Sequence, residues 1–168
     1  GSPWGAFSVN GFVENGFVYT DTTKTSLCVY IGTDTNITIP STVTTIGNNA
    51  FRNCSNLTSI TIPGAVGSIG NNAFNNCSNL GEIISLAEIS PSLGTNCFSN
   101  TPNDATVKIP CSGLQSYMSS SWTNYFSNIE GMCDGVDTII HAYICSGDTY
   151  TENGFNVSVV GTYFDTLQ

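Results

Sequence analysis

The sequence predicts a solenoid of stacked repeats, about four rungs of 23 residues whose short strands pair in parallel, and three observations carry that prediction. Residues 46–57, IGNNAFRNCSNL, return at 69–80 as IGNNAFNNCSNL, with eleven identities in twelve at an offset of 23. Aligned on proline, a longer pattern I-x-I-P-x-x-V-x-x-I-x-x-x-A-F-x-x-C-x-x-L recurs. Leu57-x-x-Ile60-x-Ile62 alternates apolar and polar residues at period two, as a half-buried strand does. A segment this short cannot bury its apolar side alone, so each copy must cover the next.

The elements follow in chain order. Residues 1–35 are expected to form an N-terminal β cap: Phe17 to Tyr19 and Leu27 to Ile31, separated by a polar turn, read as a hairpin that continues the sheet before the first rung. The first rung is carried by Ile37, Ile39, Pro40, Val43, Ile46, Ala50, Phe51, Cys54 and Leu57. The second repeats them at Ile60, Ile62, Pro63, Val66, Ile69, Ala73, Phe74, Cys77 and Leu80. A degenerate third takes Ile83, Leu86, Ile89, Leu93, Cys97 and Phe98 with one inserted residue, and a fourth begins at Val107, Ile109 and Pro110. The Ala-Phe pairs belong to the return arm, where Phe51, Phe74 and Phe98 are expected to stack as an aromatic spine. Asparagines on either side of each pair supply amides that satisfy backbone groups in tight turns.

At the far end Ser112-x-x-Gln115 reads as a capping box opening a helix, with Leu114, Tyr117 and Met118 on one face. Trp122, Tyr125 and Phe126 follow on a second short helix, completing a lid of bulky rings. Residues 36–133 therefore make one unit of repeats plus C-terminal cap. From 134 to 168 the composition changes to β-prone Tyr, Ile, Val and Thr with no basic residue.

The phrase I-P-x-x-V-x-x-I-G-x-x-A-F-x-x-C-x-x-L resembles the BspA-like leucine-rich repeat family, found in surface proteins of the Bacteroides group and some protists. Residues 107–129 are similar to the closing cap that follows such repeats. The resemblance implies an α/β solenoid, a right-handed leucine-rich repeat coil. Residues 134–168 resemble a short β unit of secreted proteins from the same bacterial group, which normally continues into a Gly-Cys-Asp-Ser stretch. That resemblance implies a truncated β-rich partial module, an unpaired Cys145, and self-association through residues 138–168 across the open edge. Asp-Thr-x triplets at 21–23, 137–139 and 165–167 are similar to the short motif that these bacteria O-glycosylate.

Composition narrows the function classes. Twelve acidic residues against three basic ones give a net charge of −9, a field that repels nucleic-acid phosphates and anionic lipid. Only 9% of residues are charged, which suits an extracellular protein held soluble by hydroxyls and amides. No apolar run approaches the roughly 18 residues a membrane helix requires. Gly1-Ser2 reads as a cloning scar, so the lack of a signal peptide does not argue for the cytosol. Seven cysteines include no C-x-x-C, and the single histidine, His141, alternates with β residues, so neither zinc nor a Cys-His nucleophile is indicated. Cys54 and Cys77 occupy the same repeat position, where a small buried thiol acts as an apolar filler, so both read as free thiols in preference to a bridge. Cys111 and Cys133 flank the lid and fit a disulfide or two thiols; Cys28 and Cys97 have no assignment. Asp134, Asp137, Asp148 and Glu152 match no calcium-loop spacing. No cofactor or catalytic group is expected.

Outward positions of the strands make two rows, Asn36, Ser59, Glu82 and Thr106 in one and Thr38, Thr61, Ile84 and Lys108 in the other. This face is the candidate surface for a protein partner. The resemblance implies a cell-surface or secreted binding module that contacts extracellular proteins in adhesin fashion. A non-binding spacer within a larger surface protein is the competing expectation. Glycan capture would call for an aromatic on the face, and neither row contains one.

Overall fold

The computed structural model describes residues 11–133 and, as backbone, residues 150–152 and 155–157. Three strands come first: β1 (Phe12–Glu14), β2 (Phe17–Tyr19) and β3 (Ser26–Tyr30). Each repeat then supplies a longer and a two-residue strand. The longer ones are β4 (Asn36–Thr38), β6 (Ser59–Ile62), β8 (Glu82–Ser85) and β10 (Thr106–Pro110), and the two-residue ones are β5 (Thr45–Ile46), β7 (Ser68–Ile69) and β9 (Ser92–Leu93). After β10 come a 3₁₀ turn (Cys111–Gly113), helix α1 (Leu114–Met118), a second 3₁₀ turn (Ser121–Asn124) and β11 (Asn128–Met132).

Two sheets result. One runs β11-β10-β8-β6-β4, wholly parallel; the other runs β1-β2-β3-β5-β7-β9, with β3, β5, β7 and β9 parallel and β1 and β2 antiparallel. Register follows the repeat: Ile37 faces Ile60, Ile60 faces Ile83, and Ile83 faces Val107. The alternation read from the sequence is present in the burial, with Ile60, Ile62, Ile83, Val107 and Ile109 fully buried. The N-terminal strands extend the sheet of two-residue strands rather than the sheet of β4, because Leu27 pairs with Ile46.

Residues 47–57 and their counterparts form the third side of each repeat, and they hold a turn structure rather than a helix. Backbone bonds run from repeat to repeat here as well: the amides of Asn49, Phe51 and Asn53 donate to the carbonyls of Asn71, Ala73 and Asn75 at 2.7–2.9 Å. Asparagines make this path possible. Asn49, Asn53, Asn72, Asn76, Asn96 and Asn100 all take left-handed φ values of 54–63°, a region that asparagine tolerates better than other residues with a side chain. The preceding Asn48 uses its side-chain oxygen to accept from the amide of Asn71 at 2.8 Å, and Asn71 does the same for Thr95. Asn76 and Asn100 extend a second amide ladder back to Asn53 at 3.0 and 2.7 Å. The expectation that these residues are structural is met in detail. The backbones pass so close that a Cβ on Gly70 would lie 2.6 Å from the nitrogen of Asn48.

Inside this side the rings stack as predicted. Phe51 and Phe74 lie 4.9 Å apart and Phe74 and Phe98 5.0 Å, both within 4° of parallel. The column lengthens beyond the repeats, through Tyr30 and Phe17 at one end and Trp122, Tyr125 and Phe126 at the other.

The third repeat differs from its sequence reading. Residue type places Leu86 and Ile89 in the core, yet they are 47% and 79% exposed. Ile62 pairs with Ser85, so the inner positions of this repeat are Ile83 and Ser85. The repeat spacing is 23 residues from Ile60 to Ile83 but 24 from Ser68 to Ser92, which places the insertion in the loop between Ser85 and Ser92. Ser85 replaces an isoleucine because Tyr117 enters the core from α1, and their hydroxyls meet at 2.6 Å. Trp122 is buried nearby and donates its indole N–H to the carbonyl of Pro91 at 3.0 Å.

The capping box does not form. Helix α1 has no side-chain cap bond, Gln115 donates instead to Ser119, and Met118 is exposed. The segment around Trp122 is a 3₁₀ turn whose amide bonds to Ser120. Residues 128–132, read as closing cap and boundary, are a fifth parallel strand, with Ile129 opposite Val107.

The chain divides into two compact units, Gly1–Met132 and Cys133–Gln168. In the second, β12 (Tyr150–Glu152) and β13 (Phe155–Val157) pair antiparallel. The readings of His141, Cys145, the acids at 134, 137 and 148, the side chain at 152, the triplets at 137–139 and 165–167, and the open edge over 138–168 lie outside the described residues. Of the triplets, Asp21-Thr22-Thr23 is described, with Thr22 exposed and Asp21 accepting from the hydroxyl of Thr23.

Truncating Phe74 removes the middle ring of the column, and Phe74→Ala is expected to cost roughly 3–5 kcal/mol. A thermal melt followed by circular dichroism checks this, and an unchanged midpoint contradicts the stacked column. Gly70→Ala forces backbone apart without removing apolar area, so a loss of about 1–3 kcal/mol in the same melt is expected.

Candidate interaction face

Successive strands of the β4 to β11 sheet bring the two predicted rows together. In the first, Asn36 lies opposite Ser59, Ser59 opposite Glu82 and Glu82 opposite Thr106. In the second, Thr38 lies opposite Thr61, Thr61 opposite Ile84 and Ile84 opposite Lys108. Asn36 and Thr38 are exposed, and the other six are half-buried among their neighbours. Alternation along each strand puts these side chains outward because their neighbours Ile37, Ile60, Ile83 and Val107 fill the core. Strand β11 adds Asn128 to the first row and Glu130 to the second. The sequence reading missed both. The signal was there, since Asn128-Ile129-Glu130 repeats the form of Asn36-Ile37-Thr38, but the proline that marks the other copies is absent.

The first row is internally bonded. Thr58 donates to the Asn36 side chain at 3.0 Å, Ser59 donates to Glu82 at 3.2 Å, and Asn128 donates to Thr106 at 2.8 Å. Lys108 reaches across from the second row to Glu82 at 2.6 Å. That hydrogen bond, then the lysine's charge, holds the Glu82 carboxyl below the usual carboxylate range. Reciprocally, the bond to Glu82 and its charge raise Lys108, with Glu130 contributing. Among the described residues the hydroxyls of Thr38 and Thr61 make no hydrogen bond, so the second row is the one with groups open to a partner. The face thus presents mostly short polar side chains on a paired sheet, with Glu82, Lys108 and Glu130 as its long charged ones and one apolar residue, Ile84, in its middle.

Nucleophilic chemistry has no support among the described thiols. Cys28, Cys54, Cys77 and Cys97 are free. Burial pushes the Cys77 and Cys97 thiols up to about 12 and also raises Cys54, so each stays protonated at neutral pH. Cys77 donates its S–H to the carbonyl of Phe51 at 3.1 Å, the behaviour of a small core filler. Cys111 and Cys133 are both disulfide-bonded. Among the described residues no group of three or more His, Cys, Asp or Glu is arranged to hold a metal ion. None of the described helices is long and apolar enough to cross a membrane.

Residues 28–132 match, in 6 copies, the profile of a family described as the BspA type leucine rich repeat region. No curated protein matches the chain. Among solved structures it is similar to a leucine rich cell surface protein from Faecalibacterium prausnitzii A2-165, with 21% identity and a TM-score of 0.48. That alignment covers 71% of this chain and 42% of the other, so the chain spans less than half of that protein's length. Repeat strands in parallel sheets with few helices fit a leucine-rich repeat type of fold.

Because the folded-state pKa of Glu82 is depressed, its contribution to stability is full above the unfolded value of about 4.3 and is lost as pH falls through the folded value. Melting midpoints between pH 6 and pH 3 are therefore expected to fall less steeply in Glu82→Gln than in the parent chain; parallel curves would contradict the Lys108 bond. Native Cys77 and Cys97 are expected to resist thiol reagents at pH 7.5 for as long as the chain stays folded, and to react at once in denaturant.

Proposed function

Because the chain belongs to the BspA-type leucine-rich repeat family, we propose that it is an extracellular protein-binding module, secreted or held at the cell surface. In this reading the repeats form a right-handed solenoid of about four rungs, closed by the N-terminal strands at one end and by the helical lid at the other. Its contact surface is the outer sheet face of Asn36, Ser59, Glu82, Thr106, Thr38, Thr61, Ile84 and Lys108, continued by Asn128 and Glu130. The role is adhesin-like: contact with host or other extracellular proteins, with no catalytic step.

One observation carries the reading. The outward residues sit in register on five consecutive strands, so a partner meets a preorganised plane and few side chains must be ordered on contact. The disulfide-bonded Cys111 and Cys133 support an oxidising compartment, and the net charge of −9 disfavours nucleic acid as partner. A second reading, that the chain is a spacer holding other domains apart, is favoured by the bonding in the first row, where Ser59 bonds Glu82, Asn128 bonds Thr106 and Asn36 accepts from the adjacent Thr58.

Immobilised chain exposed to extracellular matrix proteins and to glycans separates the two. Retention of a matrix protein, weakened about tenfold or more by Thr61→Lys, is the expected outcome, since a long charged stem on the second row obstructs the plane. Retention of nothing favours the spacer, and retention of a glycan alone contradicts the protein-binding role.

A further inference from the structure

We propose that the third repeat holds the specificity pocket of this face: a groove lined by Leu86 and Ile89 that takes one apolar side chain, flanked by lysine or arginine, from an extracellular protein partner. The proposal rests on the protein-binding reading above and narrows it to one repeat and one chemistry.

The repeats are nearly identical, which makes a departure easy to see. Where the others place Thr38 and Pro40, Thr61 and Pro63, or Lys108 and Pro110 along the outward line of the strand, the third places Ile84 and Leu86. Leu86 keeps its place in the ladder, its amide bonding to the carbonyl of Ile62 at 2.9 Å. The inserted residue then lets the loop bulge, and Ile89 stands 79% exposed where Val66 of the previous repeat is buried. Between this loop and the turn of residues 64–67 lies an open groove of about 590 Å³. Glycine keeps its floor low, for a Cβ at Gly67 would meet nothing within 4 Å. Ile84, Leu86 and Ile89 therefore give one repeat an apolar line that runs from the sheet face into the groove. Neighbouring copies of the same backbone show that the fold does not require it.

The sheet face also needs such an extension. Five strands about 4.8 Å apart and three or so residues wide present a few hundred Å², well short of the roughly 800 Å² per partner of a standard interface. A partner must reach past the sheet, and the rim at the third repeat is where apolar surface continues.

Charge selects the partner's flanking residues. Glu88 lines the groove, is exposed, and has no ion-pair partner among the described residues. Of the three basic residues in the chain, Lys24 and Lys108 are already paired with Glu14 and Glu82. With a net charge of −9, a second copy of this chain is repelled, whereas a segment carrying lysine or arginine beside its apolar residue is drawn in.

The test is a titration of the ¹⁵N-labelled full chain with three blocked pentapeptides, Gly-Lys-Leu-Lys-Gly, Gly-Glu-Leu-Glu-Gly and Gly-Lys-Ser-Lys-Gly. The first alone is expected to give saturable amide shifts confined to residues 64–67 and 84–90. Ile89→Ser, at an exposed position that leaves the melt unchanged, is expected to raise its Kd about tenfold, and Glu88→Gln about threefold. Absence of saturable shifts, equal shifts with either control peptide, shifts that depend on the chain's own concentration, or an unchanged Kd in Ile89→Ser each overturn the groove. If a matrix protein is retained in a Thr61-dependent way while Ile89→Ser binds it fully, the sheet-face reading stands and the groove falls. Groove shifts without any retained protein establish a peptide site but overturn both the sheet-face reading and the groove's role as its specificity pocket.

Discussion

One spacing governs the molecule. Parallel strands joined by backbone hydrogen bonds sit about 4.8 Å apart, and rings that stack with an offset place their centroids about 4.5–7 Å apart, a range that admits the same step. Phe51, Phe74 and Phe98, at 4.9 and 5.0 Å, meet both demands at once. If the repeat carried its ring at a different offset in each copy, either the column or the ladders would break. Near-identity of residues 46–57 and 69–80 follows from this, since all three sides of a repeat must advance by the same step. The asparagines belong to the same constraint. Their left-handed backbone turns the chain while their own amides still point at carbonyls of the next repeat, and their side chains add ladders of their own at that step.

The ends inherit the problem of the middle, because the last ring and the last strand have no further copy to cover them. At the N-terminal side Tyr30 and Phe17 continue the column, and β1 to β3 continue one sheet. At the other side Trp122, Tyr125 and Phe126 lean on Phe98 at steep angles, from 49° to 71°, so parallel stacking stops there. Ser85 shows how closely this is fitted. An isoleucine at that inner position would meet the Tyr117 hydroxyl and leave it without a partner in a dry core, whereas the serine accepts or donates at 2.6 Å. Burial drives the Tyr117 phenol up to about 12, the mark of a neutral group kept inside by one hydrogen bond.

The repeating layers are legible in the sequence because they are written at least twice, and a pattern seen twice fixes register as well as element type. Strands β6 and β8, the Phe column and the outward rows can be read for that reason. What escapes is whatever occurs once. Leu86 and Ile89 match core positions by residue type, and burial reverses them, since an inserted residue shifts the loop and not the strand. Ser112 and Gln115 have the spacing of a capping box, but a helix of five residues packed through Tyr117 is held by tertiary contact rather than by its cap. The two-residue strands β5, β7 and β9 are too short for any period to show. β11 lacks its proline and so looks like a boundary.

Departures in the third repeat have two separable causes. Ser85 answers Tyr117, Pro91 offers its carbonyl to Trp122, and Ser90 bonds Ser116, its amide reaching the Ser116 hydroxyl at 2.9 Å, so these residues serve the packing of the helical segment. Leu86 and Ile89 serve none of it. They lie in the same loop yet face water, where a polar residue would cost nothing in stability and would lower the risk of unwanted association. Other large apolar side chains are exposed near the ends of the described segment, Val13 and Ile31 among them, but within the repeats it is this one bulge that exposes two, beside a carboxylate with no ion-pair partner among the described residues. Scaffold demands explain the bulge; they do not explain what it displays.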